Sequence, residues 1–104
     1  MAKIRALSLA DLPKGSMKEV ELEDETVLIL HLDQGIFAVN GICTHARVHL
    51  AGGWIEDGRT ICCPQHGGKF DIATGRAVAF PAVTALESYP VAVEADGIYV
   101  ELDE

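Results

Sequence analysis

The chain has 104 residues, 49% of them hydrophobic, and carries a formal net charge of −8 at pH 7. This length is typical of one domain with its own core, and this apolar content argues against a disordered chain. The negative charge argues against nucleic acid or an anionic membrane surface as a partner. No apolar run is long enough to span a bilayer.

The N-terminal residues, Met1 to Leu12, contain no apolar leader segment and no twin-arginine signal, so we expect a cytoplasmic protein. We also expect a monomer. The chain has three cysteines, an odd number, and no disulfide framework is predicted from them.

Glycine-containing turns of the Asp-Gly and Asn-Gly type divide the chain into short β-rich runs, a pattern typical of antiparallel strands. The predicted strands are Lys3–Leu7, residues 19–23, Thr26–Leu32, Ile36–Val39, Trp54–Glu56, Arg59–Cys63, Phe70–Ile72, Arg76–Phe80, Val91–Glu94 and Ile98–Leu102. A single helical turn capped by Ser8 is expected at Leu9–Leu12, and no long helix is predicted. Residues 23–25 are expected to form a solvated turn.

The run Val27–Leu30 is apolar at every position, which predicts a central strand that is covered on both faces. In the next strand, Phe37 and Val39 should point to one face, with Ile36 and Ala38 on the other. The sequence therefore indicates an all-β fold with apolar layers on both sides of one sheet.

Cysteine and histidine pairs occur twice, as Cys43-Thr44-His45 and as Cys63-Pro64-Gln65-His66. Each half supplies one thiolate and one imidazole close together in sequence, and residues 46–62 allow a hairpin that places the two loops side by side. This donor set suits either a tetrahedral zinc ion or a [2Fe–2S] cluster of mixed ligation.

This motif resembles the Rieske iron–sulfur signature, and the likeness covers nearly the whole chain. The flanking residues agree with it as well: they are Leu50, Gly53, Gly67, Phe70-Asp71 and Thr74-Gly75. The resemblance implies the Rieske fold, an antiparallel β-sandwich base formed by residues 1–41 and 81–104. A cluster-binding lobe, residues 42–80, is inserted into that base.

The resemblance also implies the cofactor and its ligands. One [2Fe–2S] cluster is expected, with Cys43 and Cys63 on the inner iron and His45 and His66 on the outer iron, near the surface. The chain looks like the small ferredoxins of bacterial ring-hydroxylating oxygenases. That likeness implies an electron carrier, not an enzyme, which takes electrons from an NAD(P)H-dependent flavoprotein reductase and delivers them to a terminal oxygenase.

Three alternatives compete with this interpretation. The small subunit of an assimilatory nitrite reductase can share the fold, and a structural zinc module would use the same four ligands. A catalytic oxygenase needs a second iron site, but only His31 and His49 remain once the motif is assigned.

Residues around the motif indicate a potential at the low end of the Rieske range. The positions of an extra disulfide in high-potential Rieske proteins hold Val48 and Gln65 here, and two positions with hydroxyl donors in those proteins hold Gly68 and Phe70. Fewer donors leave the reduced cluster less stabilised. Pro81 matches the proline loop that screens the cluster in this family.

Two further residues near the motif have no assigned role. Cys62 precedes Cys63 on a predicted strand, so its side chain should point to the opposite face and be buried. His49 is expected to be a surface residue of the first ligand loop, with a partner contact as the alternative. The acidity lies elsewhere, because residues 43–80 have a formal net charge of +1 and the remainder −9.

Overall fold

The computed structural model describes residues 2–44, 47–65, 67–80, 82 and 84–102. Its strands are β1 (Ala2–Leu7), β2 (Met17–Leu22), β3 (Glu25–Leu32), β4 (Gly35–Asn40), β5 (Trp54–Glu56), β6 (Thr60–Cys62), β7 (Lys69–Asp71), β8 (Ala77–Ala79), β9 (Ser88–Tyr89), β10 (Val91–Glu94) and β11 (Gly97–Leu102). Two single 3₁₀ turns, Leu9–Asp11 and Leu50–Gly52, are the helical elements of the described ranges. The all-β prediction is confirmed.

The expected cap of the first helical turn is wrong in detail. The Ser8 hydroxyl donates to the Asp11 carboxylate at 3.3 Å and makes no bond to a backbone N–H of the turn. The turn is of the tighter 3₁₀ type and ends one residue earlier than predicted, so there is little helix here for a cap to stabilise.

The described strands form three antiparallel sheets. One sheet has the strand order β1-β11-β10, a second has β2-β3-β4-β9, and the third has β5-β6-β7-β8. The third sheet is made only of strands between residues 54 and 79, so it uses one continuous part of the chain. The first sheet instead pairs the two ends of the chain, with Lys3 opposite Glu101.

The second sheet is the middle layer, and it has an apolar core on each face. On one face of β3, Leu28 and Leu30 pack with residues of the third sheet, including Ile61 and Phe70. On the other face, Val27 and Ile29 pack with β11 residues such as Ile98. The four β3 residues are all 0% exposed, which confirms the prediction of a strand covered on both sides.

Strand β4 follows the same alternation. Val39 and Phe37 lie on the side of the third sheet, while Ala38 and Ile36 lie on the side of the first. The predicted facing of all four residues is confirmed. Because β4 leads directly to Ile42 and Cys43, this fixed register carries the first cysteine of the motif to the edge of the core.

A buried phenol joins β9 to the neighbouring strands of the middle layer. Tyr89 accepts a hydrogen bond from the Asn40 side chain at 3.1 Å and donates one to the Glu25 carboxylate at 3.1 Å. Burial raises the pKa of Tyr89 to about 12, and the Glu25 carboxylate favours the protonated phenol as well, while the Asn40 bond opposes the shift.

Replacing Tyr89 with phenylalanine should therefore change how stability depends on alkaline pH. Above pH 10 the unfolded chain releases the phenol proton while the folded chain keeps it until about pH 12. Wild-type stability should fall across that window, and Tyr89→Phe should remove this part of the fall. At neutral pH the variant should lose about 1–2 kcal/mol with its two hydrogen bonds. Urea unfolding from pH 8 to 12 measures both effects, and parallel curves for the two proteins would contradict the assignment.

Candidate metal centre

The first cysteine of the motif lies at the base of a closed loop. Cys43 is 4% exposed, and its backbone N–H donates to the Val48 carbonyl at 3.0 Å. An isolated bridge pairs Ile42 with His49, and the Leu50 N–H donates to the Gly41 carbonyl at 2.8 Å. These bonds fix both ends of the loop, so Cys43 is held at a defined position on the core.

The second cysteine is held in the same way. Cys63 directly follows β6 and is 0% exposed, and its N–H donates to the Gly68 carbonyl at 2.8 Å. Gly67 has a φ of +75°, a conformation that a residue with a Cβ rarely adopts. This conformation helps the chain return to Gly68, which lies within hydrogen-bonding distance of Cys63. The Gln65 N–H points into the loop and donates to the Cys63 sulfur at 3.4 Å.

The two loops bring the Cys43 and Cys63 side chains close enough together to interact. Burial raises the pKa of the Cys63 thiol, and Cys43 raises it further, while the Gln65 N–H acts in the opposite direction. Two adjacent buried sulfurs form a soft donor set that suits a metal centre. A metal centre bound to both would take the place of the thiol protons.

His45, His66 and Pro81, which the sequence predicts as two ligands and a screening residue, lie outside the described residues. The structure does describe the residue that precedes the first of these histidines. Thr44 precedes His45, and its hydroxyl donates to the Thr84 carbonyl at 2.7 Å. This bond ties the first ligand loop to the segment that follows β8.

Cys62 has the orientation and burial that its strand position predicts. It is 0% exposed and lies close to the Glu56 carboxylate, which accepts a bond from Lys69 Nζ at 2.6 Å. Burial raises the pKa of the Cys62 thiol, and the nearby Glu56 charge raises it further. Cys62 therefore lies on the outer side of the third sheet, while Cys63 belongs to the inner apolar cluster.

His49 makes a contact that could not be predicted from sequence. Its Nδ1 lies 2.6 Å from a carboxylate oxygen of Glu19 on β2, with the histidine side chain 58% exposed. The contact joins the first ligand loop to the middle sheet. His49 is thus a surface residue, as expected, but its described partner belongs to the same chain.

Breaking this contact should cost little, because both side chains reach solvent. Glu19→Gln and His49→Ala should each lower stability by less than about 1 kcal/mol. For a domain of this size that is a fall in Tm of less than about 8 °C. The double variant should lose no more than the worse single variant, since both changes remove one interaction. A double variant that loses the sum of the two effects would show that the residues act independently.

Comparison with known proteins identifies the class. Residues 2–90 match the family model described as the Rieske [2Fe–2S] domain. The chain belongs to this family, and the prediction from the motif is confirmed. The family carries one [2Fe–2S] cluster, which decides between the zinc and iron–sulfur interpretations that the four residues alone left open.

The similar proteins are ferredoxins. The chain is 33% identical over 99 residues to the ferredoxin component of the naphthalene 1,2-dioxygenase system of Pseudomonas aeruginosa, covering 95% of this chain and 94% of that protein. A solved ferredoxin of Sphingomonas yanoikuyae B1 is 34% identical with a TM-score of 0.90, covering 98% of this chain and 100% of the other. The relatives confirm the predicted class, an electron carrier and not a catalytic subunit.

A third similar structure includes a partner. It is a complex of reduced oxygenase and oxidised ferredoxin in carbazole 1,9a-dioxygenase, and the matched chain is 25% identical with a TM-score of 0.87. The match covers 97% of both chains.

Within the part of the present chain that the structure describes, no helix is both long and apolar enough to cross a lipid bilayer.

The described residues fit an iron–sulfur cluster. Cys43 and Cys63 offer two sulfurs from two separate loops, both at the edge of one apolar cluster that also contains Phe70 and Ala82. Thiolates are the usual protein ligands of such clusters, and an apolar shell limits the access of water. The Gln65 N–H adds a backbone donor to one of these sulfurs.

Proposed function

We propose that this protein is the ferredoxin component of a ring-hydroxylating dioxygenase system, and that Cys43, His45, Cys63 and His66 ligate its cluster. The observation that carries the ligand assignment is the contact between the buried Cys43 and Cys63 thiols. The system is proposed from relatives that match the chain over nearly its full length under that name. When bound, the cluster supplies a site that accepts and releases one electron.

The chain's own residues give this site its surroundings. The Cys43 and Cys63 backbones are pinned by bonds to Val48 and Gly68, so the two sulfurs keep one spacing as the charge changes. Phe70, 0% exposed, lies in the same apolar cluster as both sulfurs. A dry, rigid environment of this kind reduces the rearrangement that accompanies each electron.

The partners belong to the same proposal. A flavoprotein reductase would supply electrons, and a terminal oxygenase would accept them. We also propose a monomer in the cytoplasm, where reducing conditions suit a chain whose buried Cys62 forms no disulfide. The separate sheet formed by β5 to β8 supports a division into a lobe of residues 42–80 and a base of residues 1–41 and 81–104.

The midpoint potential should lie at the low end of the Rieske range, which runs from roughly −150 to +300 mV. The residues of the described site explain why a low potential is expected. Phe70 has no hydroxyl to offer, and Gly68 has no side chain, so the bond to Cys63 sulfur that the structure gives comes from the Gln65 backbone. Protein-film voltammetry at neutral pH measures the potential, and a clearly positive value would contradict this expectation.

Reconstitution tests the function itself. The purified holoprotein should be red-brown, contain iron and inorganic sulfide in equal amounts, and support turnover when mixed with an NAD(P)H-dependent reductase and a terminal oxygenase. Omitting the ferredoxin should abolish product formation. A colourless protein that contains zinc would overturn the cluster assignment. A red-brown protein that sustains nitrite reduction but no oxygenase would overturn the dioxygenase assignment alone.

A further inference from the structure

An exposed stripe runs along β8 and its two flanking residues, at the edge of the third sheet. Exposure alternates along it: Ala77 and Ala79 are half-buried, whereas Val78 is 53% exposed and Phe80 is 84% exposed. Phe80 is the most exposed of the large hydrophobic side chains that the structure describes. The stripe, defined here as Arg76, Val78 and Phe80, spans about 13 Å.

One end of the stripe lies beside the cluster site. Ala79 pairs with Lys69, so Phe80 is carried towards Gly68, whose carbonyl accepts the Cys63 N–H. Ala82, two residues further on, is buried in the same apolar cluster as Cys43 and Cys63. A protein that approaches this site closely enough to exchange an electron would therefore cover Phe80.

The other end of the stripe is positively charged. A cavity of about 540 Å³ is lined there by Arg59, Asp71, Thr74, Arg76, Ala77 and Val78. Arg59 Nε lies 4.0 Å from the Asp71 carboxylate, and the structure gives the Arg76 guanidinium no hydrogen bond or ion pair among the described residues. Two guanidinium groups and one carboxylate thus line this cavity, in a chain whose overall net charge is −8.

Strand β8 also lies at the edge of its sheet, because it pairs with β7 and with no other strand of the described ranges. Natural edge strands are commonly protected by charged side chains or proline, because exposed apolar edges promote association. Here the outward positions of the strand and its end are valine and phenylalanine. An apolar side chain left this exposed at a sheet edge indicates a contact with another protein.

We propose that the stripe is a docking surface for the terminal oxygenase, with Phe80 entering an apolar pocket and Arg76 facing a carboxylate beside it. This inference rests on the proposed function. The oxygenase is chosen as the occupant because a ferredoxin of similar fold and length has been solved in complex with one. The positive cavity requires an acidic partner surface, and the small area suits a brief redox encounter.

Four holoprotein variants test the stripe, each measured as the KM for ferredoxin in the reconstituted oxygenase reaction. Phe80→Ala should raise KM about tenfold, the effect of losing one buried aromatic anchor. Val93→Ala is the matched control, since Val93 is 51% exposed on β10 of a different sheet; it should leave KM unchanged. Arg76→Glu should raise KM several-fold at low salt and less at high salt, because salt screens exposed charges. Lys14→Glu, an exposed charge change outside the lobe, should have no such effect.

EPR spectra and midpoint potentials that match wild type would show that the variants retain the cluster unchanged. A Phe80→Ala protein with wild-type KM would overturn the inference, as would an equal rise for Val93→Ala. A loss seen only with the reductase would also overturn it, since the surface would then belong to the other partner. If wild-type protein fails to reduce the oxygenase, the proposed function fails first and this inference fails with it.

Discussion

Replacing Cys63 with alanine should give a colourless protein without iron or sulfide, whereas the same change at Cys62 should leave the cluster in place. The two residues are neighbours in sequence, and both are 0% exposed. Cys63 lies beside Cys43 inside the apolar cluster, while the Cys62 thiol lies near Glu56 on the outer side of the sheet. Only one of the two thiols can therefore reach a metal centre held by Cys43.

The size of the two effects should differ greatly. Loss of one ligand removes the binding free energy of the whole metal centre, which for such sites is part of the folding free energy. Loss of the Cys62 thiol removes a small buried apolar volume, which costs about 1 kcal/mol. Iron and sulfide analysis, the visible spectrum and thermal unfolding of the two variants measure the contrast.

Either variant could contradict the assignment of Cys63, and not Cys62, as the ligand. Cys62→Ala protein that loses its cluster but keeps a native far-UV CD spectrum would make Cys62 the ligand and contradict the strand register. Cys63→Ala protein that keeps iron and sulfide would overturn the ligand set. Cys43→Ala provides a second control and should behave like Cys63→Ala, because its thiol is the other half of the contact.

The parts of the fold that depend on local sequence were predicted well. Turn residues flanked by apolar alternation located ten strands to within about two residues at each end, and the continuous run Val27–Leu30 identified the layer with two cores. Strand β9, Ser88–Tyr89, was missed because two residues offer no alternation. The turn at Glu23 and Asp24 was expected, but its φ angles of +49° and +70° were not, since glycine or asparagine usually fills such positions.

Contacts between residues that are far apart in the chain could not be predicted from the sequence. Glu19 meets His49, and Thr44 meets Thr84, only after three sheets have formed and packed, and neither pair has a spacing that marks it in advance. The motif, in contrast, predicted the cysteine pair because metal chemistry restricts both residue type and spacing. The exposure of Phe80 was also seen only in the structure, since a phenylalanine at the end of a strand is equally compatible with a place in the core.

Adding one methyl group at Gly53 should prevent the lobe from forming, whereas adding it at Gly52 should be harmless. A Cβ on Gly53 would lie 1.8 Å from the Cys62 carbonyl oxygen and 3.2 Å from the Leu50 carbonyl oxygen. These are backbone atoms of β6 and of the preceding turn, so no side-chain rotation relieves the clash. A Cβ on Gly52 would come no closer than 3.7 Å to Pro64, an ordinary contact.

Gly53→Ala should therefore push β5 away from β6 and displace Cys62 together with its neighbour Cys63. The expected cost exceeds about 3 kcal/mol, which is a large part of the stability of a domain of this size. Gly52→Ala should change stability by less than about 1 kcal/mol, with a gain possible from the stiffer unfolded chain. Soluble yield, iron content and Tm measure the difference.

The pair isolates one physical cause, because the substitutions are chemically identical and adjacent. The φ of Gly53 is −92°, so backbone strain from a left-handed conformation plays no part in the expected loss. The effect must come from the close approach of two backbones next to Cys63. A Gly53→Ala protein with full iron content and a Tm within a few degrees of wild type would mean that β5 and β6 are not packed as described, and the placement of Cys63 would fail with them.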